Sequence, residues 1–365
     1  MSKTLGKLFE PVEIGKLKLK NRLVMCPMGT GLADRAGTVN QRMIDYYTAR
    51  AKGGASLIIV ESSMVESKLG IVGLFTRVFI DHDRFIPGLS KLARSIHEHG
   101  ARAAIQLQHA GLWANCPAGE PPVSASSIAV RPGLVSRALT RDEIAGIVAA
   151  FAGAARRARE AGFDAVDLNG GAGLLIAQFL SPATNQRTDA YGGDFEGRMR
   201  FALEIIQAIR ARAGEDFPIV FDHPADEFIP GGIDRETGKL IARRIDSAGV
   251  EALRIHTGVH DPRYMHWIIP PAAIPPAFQV PYAVETRKVV KQARIMVGRL
   301  LDDLPVANGV LEQGGADIIV LGRSLLADPE LPNKAAAGKL AEIRRCLRCN
   351  QCVHRPDPAK WSLSC

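Results

Sequence analysis

The chain predicts an α/β fold, a (β/α)8 or TIM barrel with a small cysteine-rich module at its C-terminal end. Three observations predict it. Eight short apolar runs alternate with amphipathic stretches, the pattern of parallel strands joined by crossover helices. Glycine stands just before the strands in "EAGFDAVDL", "SAGVEALRI" and "QGGADIIVL", where a left-handed residue suits the end of a helix. Four of the six cysteines crowd the segment from Cys346 to Cys365.

The eight expected strands are Leu23–Pro27, Ser56–Glu61, Ala103–Gln108, Ala165–Leu168, Pro218–Phe221, Ala252–Ile255, Arg294–Val297 and Asp317–Leu321. Helical patterns such as Ile144–Ala161, Arg198–Ala213 and Lys239–Ala248 lie between them. Eight such units in a row suggest a closed barrel more than an open sheet, with active-site groups at the C-terminal strand ends. No G-x-G-x-x-G opens a helix after a strand, so no dinucleotide-binding domain is expected. Residues 1–334 read as the barrel and 335–365 as the appended module. Two stretches break the rhythm. Gly111–Leu139, rich in Pro, Ser and Gly, is expected as a loop or hairpin over the barrel mouth. The proline-broken Pro262–Pro281 is a long excursion after the sixth strand, and long loops in compact domains are usually functional.

The 365 residues are 47% hydrophobic and 23% charged, enough for a large core. Length alone would suggest two domains, but one barrel absorbs most of it. The net charge is +8, from 46 scattered Lys and Arg. Without a basic run this is a solvated surface that would also steer in acidic substrates such as a CoA thioester or nucleotide. No motif supports nucleic-acid binding. Met1–Lys20 is mixed and charged and reads as no signal peptide. No apolar run nears the roughly 20 residues of a membrane helix. A cytoplasmic enzyme acting on a small molecule is expected.

Cys346, Cys349 and Cys352 form C-x2-C-x2-C, with Cys365 beyond. A 4Fe-4S cluster needs four thiolates around a compact cube, and a tight triplet plus one distant cysteine supplies them. Structural zinc more often uses two separated pairs, and free thiols are the third reading. Arg344, Arg345 and Arg348 would help to hold an anionic cluster. Cys26 and Cys116 stand alone.

"CLRCNQC" follows "GRSLLADPELPNKAAAGK". Upstream come "LFEPVEIGKLKLKNRLVMCPMGTGL", "YYTARAKGGASLIIVE", "IQLQHAG" and "QFLSPATNQRTDAYGGDFEGRMRF". On these segments, over nearly its whole length, the chain resembles the old yellow enzyme (NADH:flavin oxidoreductase) family. Within it the likeness is to the iron–sulfur branch of 2,4-dienoyl-CoA reductase and trimethylamine dehydrogenase. The resemblance implies FMN at the C-terminal mouth of the barrel. It also implies hydride transfer to an activated C=C bond of an enoyl- or dienoyl-CoA or an enone, with electrons delivered through the cluster. NAD(P)H would act directly or through an FAD/NAD(P)H reductase domain or subunit, into which larger relatives continue beyond the cysteine module; the chain is then fed by a separate reductase or is a fragment.

The resemblance also places the site. Pro27, Met28, Gly29 and Thr30 match the segment lying along the flavin ring. Gln106 matches the Gln that binds the pyrimidine edge, and a polar Gln inside an apolar strand is costly without a partner. His109 is expected to be structural. Gly298 and Arg299 end the seventh strand, and Gly322 and Arg323 the eighth, where barrels often bind phosphate. There Gly admits the backbone closely and Arg pairs bidentately. Gly29 replaces the Cys that trimethylamine dehydrogenase-like proteins bond to flavin, so FMN is expected to be non-covalent. "TGVHDPR" makes His260 the expected proton donor, with Arg263 nearby and His256 and His266 as weaker candidates. Asn169 can hydrogen-bond a substrate carbonyl.

The chain departs from the family pattern at several positions. Asp222 stands where the family places an Arg near the flavin; such a carboxylate needs protonation or a cation beside it, and His223 is a possible substitute donor. Leu174 falls on the proton-donating Tyr, and Ala172 on a polar residue. Asp167 replaces the usual Glu and is expected to be structural. Two competing readings follow: an amine or N-methyl dehydrogenase with Trp113, Tyr264 and Trp267 as an aromatic bowl, and a degenerate subunit that binds cofactor without turnover.

Overall fold

A computed structural model describes residues 5–70, 77–116, 120–353 and 365. Eight parallel strands close into a barrel. They are β1 (Leu23–Met25), β2 (Leu57–Met64), β3 (Arg102–Gln108), β4 (Ala165–Leu168), β5 (Ile219–Asp226), β6 (Ala252–Thr257), β7 (Arg294–Gly298) and β8 (Ile318–Leu321). Pairing of β8 with β1, Ile319 against Leu23 and Leu321 against Met25, completes the ring. Each expected strand is present. β2 and β5 run several residues further than their apolar runs, because their polar C-terminal halves stay in the ladder.

Helices follow the strands: α1 (Gln41–Lys52), α2 (Ile86–Glu98), α3 (Arg141–Glu160), α4 (Phe195–Ala213), α5 (Arg235–Ser247), α6 (Val280–Arg287), α7 (Leu304–Glu312) and α8 (Arg323–Ala327). The three glycines read as helix stops, Gly162, Gly249 and Gly314, have φ of 91°, 83° and 70°, so each adopts the left-handed turn that glycine enters without steric cost. The N-terminus of α3 is set by a capping box: Thr140 Oγ1 accepts from Glu143 N, and Glu143 Oε2 accepts from Thr140 N. Thr140→Ala removes one of these bonds and should lower stability by about 1 kcal/mol, read from urea denaturation. An unchanged midpoint would show that Glu143 and its Arg137 pairing hold the helix end unaided.

Alternation along the strands gives the barrel two faces. Leu23, Ile58, Ile105, Val166, Ile219, Leu253, Ile295 and Ile319 face the helices in the main core. Val24, Leu57, Ile59, Ala104, Val220, Met296 and Ile318 fill the interior. An N-terminal hairpin, Val12–Ile14 with Leu17–Leu19, packs its four apolar side chains into that interior cluster. The interior is therefore solid and apolar at the lower end. Polar side chains are confined to the upper, C-terminal end of the strands.

The segment Gly111–Leu139 holds two small sheets, Val123–Ser124 with Arg137–Ala138 and Ala129–Arg131 with Leu134–Val135. The excursion Pro262–Pro281 carries a short helix, Met265–Ile268. Part of the 335–365 module, residues 354–364, lies outside the described residues. The rest of its loop is tied to the upper rim. Arg348 Nη2 donates to Asp302 Oδ1 at 2.7 Å and Asn350 Nδ2 to Ile269 O at 3.0 Å, while Arg323 bonds Asn350 Oδ1. Cys352 is buried in the main core. No described helix is long and apolar enough to cross a membrane.

Candidate active site

One chain of side chains fills the upper interior. Gln106 Nε2 donates to Asp167 Oδ1 at 2.7 Å. Arg254, from the middle of β6, donates through Nε and Nη2 to both Asp167 oxygens at 2.9 and 3.0 Å. Its Nη1 lies 3.0 Å from Asp222 Oδ1, and His256 Nδ1 lies 2.9 Å from Asp222 Oδ2. Arg299 rests against the His256 ring, its Nη2 3.2 and 3.3 Å from the two ring nitrogens, and donates through Nη1 to Trp267 O. Four of the six, Gln106, Asp167, Asp222 and Arg254, lie in the upper barrel because inward positions switch from apolar to polar one step above Ala104, Ala165, Val220 and Ala252.

This network answers the difficulty posed by Asp222. The family position carries a carboxylate here, but the next strand supplies the missing cation. Burial pushes the Asp222 carboxyl up; Arg254 and His256 outweigh that and bring it down to about 2. Asp167 goes the other way, because burial prevails over the pull of Arg254. Asp167 is thus structural in the strict sense of anchoring Arg254. Burial raises the cost of charge on Arg254, but the two carboxylates more than compensate, so its guanidinium stays ionised.

His223 is corrected. With Asp222 turned inward to Arg254, its neighbour on β5 turns outward. His223 is fully buried, and neither ring nitrogen has a hydrogen-bond partner among the described residues. Burial holds it neutral, down to about 3. It cannot serve as a donor at the mouth.

Gln106 finds inside the chain the partner its burial demanded: besides Asp167, its Oε1 accepts from Ser62 Oγ and from Asn169 Nδ2. Asn169 Nδ2 also donates to Gln108 Oε1 at 2.9 Å. Asn169 Oδ1 and Gln108 Nε2 keep no partner among the described residues, and neither does Glu61 Oε1 at the mouth. Gln108 was not anticipated, although its spacing of two from Gln106 puts it on the same strand face.

Around the mouth, Thr30 N and Oγ1 both donate to the buried Glu61. A Cβ on Gly29 would lie 1.8 Å from Arg77 Nη1, so the guanidinium of Arg77 sits directly over that glycine. His260 is held by its backbone N donating to Ala172 O at 2.7 Å, with its ring edge-on to Trp113 at 6.0 Å. Burial, then the charges of Arg77 and His256, bring His260 down to about 4. Leu174 packs with Ala110, Ala172, Trp113 and Ile268 in a small apolar cluster, so the place of the missing Tyr is a hydrophobic wall. Beside it opens a pocket of about 610 Å³ lined by Trp113, Ile128, Gly173, Val259 and Tyr264, with the buried Glu227 at its margin.

At the ends of β7 and β8, a Cβ on Gly298 would come within 2.4 Å of Val320 O, and one on Gly322 within 3.3 Å of Met28 Sδ. Arg299 turns inward to His256, and Arg323 toward Pro270 O and Asn350. The two arginines therefore flank the β7 and β8 ends from different sides. His109 Nδ1 accepts from Gly111 N. Pro27 and Met28 continue β1 at the rim. Cys346, Cys349 and Cys352 are not gathered as metal ligands; among the described residues no group of three or more Cys, His, Asp or Glu side chains is.

A closed parallel barrel, solid below and polar at the C-terminal rim, defines a (β/α)8 enzyme scaffold with its site at the upper mouth. The chain belongs to the NADH:flavin oxidoreductase / NADH oxidase family, whose model matches residues 7–342. It is 41% identical to an NADH oxidase of Thermoanaerobacter brockii, over 94% of this chain and 52% of that one. It is 35% identical to a cinnamate reductase of Clostridium sporogenes, over 95% of this chain and 55% of that one. The chain thus spans about half the length of these relatives. Its backbone matches 2-naphthoyl-CoA reductase with a TM-score of 0.90 at 27% identity, over 99% of this chain and 56% of that one.

Proposed function

We propose that this chain binds FMN non-covalently at the C-terminal rim and reduces an activated C=C bond of an enone, enoate or enoyl thioester. The observation that carries the reading is the pair of unpartnered buried atoms, Asn169 Oδ1 and Gln108 Nε2, at the mouth of a flavin-family barrel. A flavin pyrimidine edge offers both an N–H donor and carbonyl acceptors, so one acceptor and one donor left open there fit it. The glycines at 298 and 322, where a side chain would crowd Val320 O and Met28, fit a phosphate approached by backbone.

In this reading Pro27, Met28, Gly29 and Thr30 border the ring, and Gln106 braces the rim through Asp167 and Asn169. Gly298, Arg299, Gly322 and Arg323 hold the phosphate. FMN supplies the hydride when bound. His260 delivers the proton in place of the absent Tyr, and Asn169, its Nδ2 spent on Gln106 and Gln108, meets the pyrimidine edge through Oδ1 and not the substrate carbonyl. The pocket beside Trp113 and Tyr264 takes the apolar part of the substrate. Cys346, Cys349, Cys352 and Cys365 hold a 4Fe-4S cluster, and the ties from Arg348, Asn350 and Arg323 to the rim keep their loop near the flavin's phosphate end. NAD(P)H, direct or through a partner reductase, supplies electrons.

The test is anaerobic purification followed by flavin, iron and acid-labile sulfide assays, then NADPH-driven reduction of 2-cyclohexenone. The expected outcome is one FMN and four irons per chain with turnover of the enone. Absence of FMN after reconstitution defeats the reading. FMN without iron removes the cluster alone.

A further inference from the structure

We infer that the substrate is a large neutral enone of several fused rings, its reducible end set toward His260 and its body in the pocket beside Trp113. The inference narrows the function proposed above and rests on it.

The pocket is built from the loops after four neighbouring strands. Trp113 and Ile128 follow β3, Gly173 follows β4, Glu227 and Ile229 follow β5, and Val259 and Tyr264 follow β6. Two features join it to the assigned proton donor. Val259 and Asp261, the residues on either side of His260, both line it. Trp113 lines it too, and holds its ring edge-on to the His260 ring with 6.0 Å between centroids. A molecule that fills the pocket therefore reaches the loop that carries His260.

Size argues against a small substrate. The volume is about 610 Å³, within the roughly 300–1,000 Å³ of sites that enclose a drug-sized ligand. A single six-membered ring would leave most of it unfilled, and wall atoms that face a void forfeit their dispersion contacts. Trp113, Ile128, Ile229 and Val259 offer apolar surface to the faces of a fused-ring body.

Charge argues against an acid or a phosphate-bearing tail. Arg263 is the cation among the lining residues, and Asp261 already holds it in two-point pairing at 2.7 and 3.1 Å. Glu227 is a buried carboxyl whose Oε2 accepts from Ser181 Oγ at 2.6 Å and Ile233 N at 2.8 Å, leaving Oε1 for a ligand. Burial, with the charge of Asp226 behind it, pushes Glu227 up to about 7. Near neutral pH it is partly protonated and can serve a hydroxyl or a carbonyl at the far end of a neutral molecule. An anion there would meet a carboxylate, with Arg263 already spent.

The test mixes FMN-loaded, pre-reduced protein with testosterone, 2-cyclohexenone or cinnamoyl-CoA and follows the return of the flavin's visible absorption. The second-order rate constant for testosterone should exceed those for the other two more than about tenfold, since each further buried methylene is worth a few-fold. Val130→Trp, which fills the pocket from its wall, should lower the ratio of testosterone to 2-cyclohexenone more than about tenfold. Ile128→Trp, from the same segment, gives the same reading if the first variant fails to fold. A testosterone rate that does not exceed both others overturns the inference and leaves the reductase reading intact. A ratio unchanged in a folded variant overturns it as well. Reduction of none of the three by protein that holds FMN defeats the reductase reading, and the inference with it.

Discussion

His260→Ala should slow substrate reduction by the pre-reduced holoenzyme about 10²–10⁴-fold, the range that one positioned proton donor contributes. Single-turnover mixing with an enone isolates that step. The pH profile carries a second signature. Burial, Arg77 and His256 hold His260 at about 4, so its imidazolium fraction falls about tenfold per pH unit above that value. The wild-type rate should rise as pH falls from 7 to 5, and the rise should vanish in the variant. A variant whose rate and profile match wild type would assign the proton to solvent. The wall of Leu174 and its described neighbours is apolar.

Arg254→Ala should cost about 3–5 kcal/mol of folding stability, the penalty for leaving buried charges without their partner. Asp167 and Asp222 would then share the interior with Gln106, His256 and the more distant charge of Arg299 as support. The pH dependence follows in sign. In wild type the Asp222 carboxyl, brought down to about 2, contributes stability present above its unfolded value near 3.9 and lost as pH falls through about 2. Without Arg254 both carboxyls rise, so the deficit is greatest at neutral pH and shrinks toward pH 5 as they take up protons. Urea midpoints at pH 7 and 5 measure it; a deficit below about 1 kcal/mol, or one that grows toward acid, would rule out the ion network as the source. Arg254→Lys should recover little, because two-point pairing with Asp167 needs the planar fork.

The barrel was legible because its signals are local and repeated: apolar runs of fixed length, amphipathic helices, and glycines where helices must stop. The strand extensions of β2 and β5 were not, since polar residues in the ladder look like loop. At the site, Gln106, Asn169 and His260 were picked out by the family resemblance, Gln106 also as a polar side chain inside an apolar strand; the structure joins Gln106 to Asn169 and sets His260 in the loop after β6. Arg254 was missed although its signal was present: an arginine inside "ALRIH", flanked by apolar residues, must have a buried counter-charge. Asp222 was seen to need either protonation or a cation; that a cation supplies it, and from which strand, depends on barrel neighbours that sequence order does not reveal. Arg77 carries no local mark at all. Only the fold brings the loop after β2 onto Gly29. His223 was misjudged because one residue along a strand is the difference between the two faces of the sheet.

The hairpin of Val12–Ile14 and Leu17–Leu19 stoppers the barrel from beneath. Traffic to the polar rim is thereby closed from below and left to the upper end, where Trp113 and His260 stand. An electron donor and an acceptor that both need the innermost seat must take turns, so initial-rate plots against the two should give parallel lines.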